Sequence, residues 1–231
     1  MRCSIVLFDG FTALDVVGGY EVIANLPGVD VEFVSFEVGT VATDTRRLGL
    51  MAYETFANVN ETDILYVPGG PGVVPSLQDE ELLAHLARLH ATATWTYAVC
   101  NGVALLGAAG LLAGRVVTTN WGWRDRVRAY GATVVSERYH VDSDLVTGAG
   151  VSASIDAALA LAALVASDDI ARVIRLGIEY YPQPPGGPAD ADTEPELFRS
   201  LVADFEATTA SQRLGSLQPP FATVARRVVA Q

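Results

Sequence analysis

The chain has 231 residues, 50% hydrophobic and 18% charged, a balance that supports a packed core and excludes a disordered chain. Its formal net charge is -12, so a nucleic-acid backbone would be repelled; the only basic clusters, Arg124/Arg126/Arg128 and Arg226/Arg227, are short. All fifteen basic residues are arginine, which removes Schiff-base and lysine-base chemistry.

The N-terminal apolar run stops at Asp9, too short for a signal segment. No stretch reaches the ~20 apolar residues of a membrane span; residues 151–166 come nearest and are interrupted by Ser152, Ser154 and Asp156. Two cysteines without a secretory signal lead to an expectation of reduced thiols and a cytoplasmic setting.

In chain order, residues 3–8 read as a β-branched first strand closed by Asp9-Gly10, and residues 15–26 as a helix stopped by Pro27-Gly28. Residues 29–36 alternate as a strand. Residues 64–67 form an apolar strand ending in Pro68-Gly69-Gly70-Pro71-Gly72. An amphipathic helix is expected over 79–90, a buried strand over 95–99 and an all-apolar helix over 102–112. Short segments at 116–118, 124–130 and 133–135 continue the alternation. A strand at 145–147 then leads through Gly148-Ala149-Gly150 into a long Ala/Leu helix. Apolar strands between helices predict an α/β fold whose mostly parallel sheet is covered on both faces. Residues 182–194 form a Pro/Gly/acidic loop, followed by a helix around 196–207. Residues 1–183 are expected to form the main body, with 184–231 a C-terminal extension of the same domain.

Ligands of open parallel sheets collect at the carboxyl ends of the strands, which singles out residues 9–15, 68–72 and 100–102. Ala98-Val99-Cys100-Asn101-Gly102 has the small-x-nucleophile-x-small pattern of a strand-to-helix elbow. An elbow would hold Cys100 at a helix N-terminus, where thiolate is favoured; otherwise Cys100 is a small buried hydrophobe. Cys3, inside an apolar strand, is expected to be structural. The backbone N–H groups of the Gly70 loop and of Asn101 are candidate oxyanion donors, unless the glycines make a plain turn. Asp15 reads either as the N-cap of the first helix or as a carboxyl whose pKa a nearby thiolate raises, fit to shuttle a proton. His85 and His90 are expected to be solvated on a surface helix, and His140 falls in a loop.

Together, Leu14-Asp15, Val67-Pro68-Gly69-Gly70, Val99-Cys100-Asn101-Gly102, residues 106–112, Thr118-Thr119-Asn120-Trp121, residues 145–156 and Glu179-Tyr180-Tyr181-Pro182 resemble the DJ-1/PfpI family, nearest its isonitrile hydratase branch. The resemblance implies a flavodoxin-like three-layer sandwich, akin to class I glutamine amidotransferases, and usually a homodimer. It implies a reactive Cys100 with Asp15 beside it, Gly70, Asn101 and Asn120 as oxyanion or substrate-binding groups, and no metal or organic cofactor. The implied activity is hydration of a small electrophile, isonitrile to N-substituted formamide. Peptidase-like relatives carry histidine and isonitrile hydratases threonine where this chain has Asn101, and Asn120 replaces a frequent histidine. These departures motivate the alternative expectation of a ligand-binding or redox-sensing protein with an oxidisable Cys100. A transcription regulator is not expected from so acidic a chain without a helix-turn-helix extension.

Overall fold

The computed structural model describes residues 1–187 and 189–209; the Arg226/Arg227 cluster and the end of the expected extension lie outside the described residues. The chain opens with β1 (Arg2–Val6), α1 (Ala13–Ile23) and β2 (Asp30–Ser35), then a hairpin of β3 (Gly39–Ala42) and β4 (Gly49–Ala52), and β5 (Glu54–Thr55). Next come β6 (Ile64–Val67), α2 (Val73–Ser76), α3 (Glu80–His90), β7 (Trp95–Val99) and α4 (Val103–Ala108). Past β8 (Val116–Val117), α5 (Arg124–Arg128) and β9 (Thr133–Val134) lie β10 (Tyr139–Asp142), β11 (Leu145–Gly148), α6 (Ala153–Val165), α7 (Asp168–Gly177) and α8 (Glu196–Thr209).

Seven strands form one sheet in the order β10-β11-β7-β6-β1-β2-β5. Every pairing is parallel except β10 with β11. Strands β6 and β11 are buried at every position, as expected where helices cover both faces. α1, α6 and α7 pack on one face, while α2, α3, α4 and α5 pack together on the other. The order β2-β1-β6-β7-β11 is that of the flavodoxin-like fold, in which the chain reverses direction across the sheet between β1 and β6. The loops leaving these two strands therefore diverge to opposite faces and open a crevice between them.

Several local expectations are corrected. The first helix starts at Ala13, with Thr12 the extended N-cap residue, so Asp15 lies inside the first turn and is not the cap. The Thr12 hydroxyl donates instead to Asp44 Oδ2 at 3.1 Å. The apolar helix expected over 102–112 stops at Ala108, because Gly110 adopts φ 79 and turns the chain away. β8 and β9 pair only with each other, outside the main sheet. His85 and His90 are part-buried rather than solvated: His85 stacks on Phe56 at 4.8 Å, and His90 Nδ1 bonds Thr96 Oγ1 at 2.7 Å.

Two stacked phenols in the sheet, Tyr66 and Tyr97, with centroids 4.3 Å apart, tie the helical layer down. Tyr66 donates to the backbone carbonyl of Asp15, and Tyr97 to that of Ser154 at 2.6 Å. Burial raises both phenols above their ordinary range, so they remain donors. Tyr97→Phe keeps the stack and loses the hydroxyl with its bonds to the Ser154 carbonyl and to Tyr66. It should lower stability by about 1 kcal/mol and Tm by about 2–4 °C, read by thermal unfolding.

Candidate active site

The backbone turns sharply where β7 ends. Val99 is extended at φ -134, and Cys100 then takes φ 59 and opens a single 3-10 turn, Cys100–Gly102, that runs into α4. A left-handed conformation costs an L-residue roughly 1–2 kcal/mol, so the elbow persists only because its surroundings hold it. One support is Thr119, whose Oγ1 donates to the Cys100 carbonyl at 2.8 Å. Another is space: a Cβ on Gly102 would stand 2.3 Å from the Pro68 carbonyl oxygen, so the elbow meets the loop after β6 at a distance only glycine allows. Cys100 keeps 6% exposure, whereas Cys3 has 0% and its thiol is pushed up by burial.

Asp15 arrives from α1, fully buried. Its Oδ2 accepts the Gly69 N–H at 2.9 Å, and its carboxyl is also hydrogen-bonded to the Cys100 side chain. Oδ1 is buried and has no hydrogen-bond partner among the described residues. Burial pushes the carboxyl up to about 7 and buried Asp44 adds to the rise, against the opposing pull of the Gly69 and Cys100 hydrogen bonds. Among the described residues, the groups that shift it include no guanidinium. The backbone around Asp15 is anchored twice, by Tyr66 on its own carbonyl and by Ser154 Oγ on the Leu14 carbonyl at 3.0 Å.

Gly69 is where the three loops converge. A Cβ there would lie 2.4 Å from Asn101 Oδ1, 2.8 Å from Asp15 Oδ2 and 2.9 Å from Cys100 Cβ. The structure thus brings Asp15, Cys100, Asn101 and the Gly69-Gly70 pair together. The Gly70 N–H, expected to face an oxyanion, donates instead to Asn101 Oδ1 at 2.7 Å. Asn120 follows Thr119 and accepts the Gly122 N–H on Oδ1 at 2.9 Å, capping the turn Trp121–Trp123. No histidine joins the group, and His140 pairs with Glu137 at 2.7 Å. Among the described residues no cluster of three His, Cys, Asp or Glu side chains is placed to hold a metal ion. Sequence reasoning missed Thr119, Tyr66 and Asp44 as supports. Only Thr119 carried a signal, through its place in the Thr-Thr-Asn-Trp tract.

A thiol beside a carboxyl that titrates near neutrality forms a pair able both to attack and to exchange protons. Two stability measurements probe this geometry. Cys100→Gly should be more stable than Cys100→Ala by about 1 kcal/mol, because only glycine relaxes at φ 59; equal stabilities in urea unfolding would mean the elbow carries no strain. For Asp15, the folded carboxyl holds its proton to about 7 and the unfolded one to about 4. Its stabilising contribution is thus present below about pH 4 and lost as pH rises to about 7. Relative to the wild type, Asp15→Asn should therefore gain on the order of 4 kcal/mol across that window. A gap that stays constant with pH would show an ordinary carboxylate.

The sequence profile of the DJ-1/PfpI family matches residues 1–164. An isonitrile hydratase of Pseudomonas putida is 38% identical over 214 residues, 93% of this chain and 92% of that protein. A THiJ/PfpI family protein from Pseudomonas syringae superposes with a TM-score of 0.86 at 30% identity, covering 93% of this chain and 90% of the other. Schizosaccharomyces pombe DJ-1, at 15% identity and a TM-score of 0.67 over 79% of this chain and 100% of its own, shares the fold. With its flavodoxin-like sheet and a profile match over most of its length, the chain belongs to the DJ-1/PfpI family.

Proposed function

We propose that the protein is an isonitrile hydratase, converting a small neutral isonitrile to the N-substituted formamide with Cys100 as nucleophile and Asp15 as acid and base. One observation carries the reading. A fully buried carboxyl that titrates near 7 is hydrogen-bonded to the thiol on the elbow, with its second oxygen unpartnered among the described residues. The 38% identical isonitrile hydratase supports the choice of substrate.

In the first step the Cys100 thiolate attacks the terminal isonitrile carbon. Protonated Asp15 delivers its proton to that same carbon, giving a thioimidate, R–N=CH–S–Cys100. The Asp15 carboxylate then takes a proton from water as the hydroxide adds to the carbon, and passes it to the nitrogen. In the collapse the new hydroxyl returns its proton to Asp15, the C–S bond breaks, and R–NH–CHO leaves with the thiolate and the protonated acid restored. Water supplies both the oxygen and the nitrogen-bound hydrogen. The Asn101 backbone N–H at the elbow and the Asn120 Nδ2 are the proposed donors to the developing charge. The protein is taken to work as a homodimer in the cytoplasm.

Incubation with an aryl isonitrile, followed by formamide absorbance, tests the reading. Cys100→Ala should lose on the order of 10³-fold or more in kcat/KM, and Asp15→Asn about 10²–10⁴-fold. Because the acid acts in its protonated form, kcat/KM should fall as pH rises past about 7. If the wild type turns over no faster than Cys100→Ala, the hydratase reading fails. Peroxide that then adds two oxygens to Cys100 but none to Cys3 would favour the redox-sensing alternative.

A further inference from the structure

Between the sulfur and the acid stands the softest dipeptide of the site, Gly69-Gly70. Neither residue has a side chain to pack, and Gly70 sits at φ 138, a conformation open to glycine. Yet both residues are held at every backbone polar group. The Gly69 N–H donates to Asp15 Oδ2 at 2.9 Å, and its carbonyl accepts the Thr12 N–H at 2.9 Å. The Gly70 N–H donates to Asn101 Oδ1 at 2.7 Å, and its carbonyl accepts from Asn101 Nδ2 at 3.1 Å and from the Val73 N–H at 3.0 Å. One buried carboxamide thus occupies the N–H and the C=O of the same residue, as a neighbouring strand would. Its Oδ1 also borders the space a Cβ on Gly69 would fill, together with Asp15 Oδ2 and Cys100 Cβ.

We propose that Asn101 is a positioning residue: by clasping Gly70 on both sides, its carboxamide fixes the Gly69 N–H on Asp15 Oδ2 and so assigns the proton of the acid to Oδ1. The catalytic meaning of this clasp rests on the hydratase reading, but the titration it controls exists without any substrate. The groups acting on Asp15 are Cys100 from the elbow, Asp44 from the turn between β3 and β4, and Tyr66 and Tyr97 from the sheet. The Asn101 carboxamide spends its bonds on Gly70, so a change there acts on the acid through the glycine pair.

Asn101→Leu preserves the shape of the side chain and removes both bonds. With the Gly69 N–H released, Asp15 should hold its proton about tenfold more tightly. This is read from the pH midpoint of the Asp15 carboxyl carbon-13 resonance, identified by its loss in Asp15→Asn. Thr119→Val loosens the elbow through the Cys100 carbonyl without touching the glycine pair, and should leave the midpoint in place. If Asn101→Leu does not fold, Asn101→Ser, which also lacks the two-sided contact, should displace the midpoint in the same direction. An unmoved midpoint in a folded Asn101 variant, or an equal displacement in Thr119→Val, overturns the proposal. Because no isonitrile is present, this result stands apart from the success or failure of the activity assay.

Discussion

A carboxyl without a cation beside it is hard to keep in a core, and Asp15 sits where the loops after β1, β6 and β7 close over one another. The protein meets the difficulty with backbone rather than charge. A single N–H from Gly69 takes one oxygen and a thiol shares the carboxyl, and among the described residues no guanidinium is one of the groups that shift it. An arginine would hold the group ionised throughout the physiological range, and every basic residue available to this chain is an arginine. Backbone and thiol hydrogen bonds, too weak to offset burial, instead leave an acid that changes state near neutrality.

Much of the surrounding structure exists to make that arrangement rigid. Tyr66 and Ser154 grip consecutive carbonyls in the first turn of α1, Thr119 grips the carbonyl of Cys100, and glycines admit backbone where a Cβ would collide. A left-handed cysteine and a buried acid both lower stability. Their persistence at one point of an otherwise well-packed sheet is the pattern expected where function opposes folding.

The residues made some of this legible and hid the rest. β6 and β7 could be read because short apolar runs bounded by Pro, Gly or polar residues have few other homes in an α/β protein. The elbow showed itself through small residues two places either side of Cys100. Thr12 and Asp15 are both good cap types, so the residues alone leave the helix start open; α1 begins at Ala13 with Thr12 at the cap position, its hydroxyl donating to Asp44, distant in sequence, rather than capping an N–H. The hairpin strands β3 and β4 are only four residues each and both open on glycine, too short a run to announce itself. Nor does spacing reveal that the Asn101 side chain folds back onto Gly70, since that contact depends on how closely β6 and β7 deliver their loops.

That same hairpin stands apart from the main sheet yet reaches its crevice. It accepts the Gly10 N–H at Ala42, sends the Asp44 N–H to Phe11, and places a second carboxyl where it raises the proton affinity of Asp15. Strand register does not depend on it, so its length and charge are free to drift while the scaffold stays fixed. The acidity of the central group is thus adjustable from an appendage, without altering a strand of the main sheet.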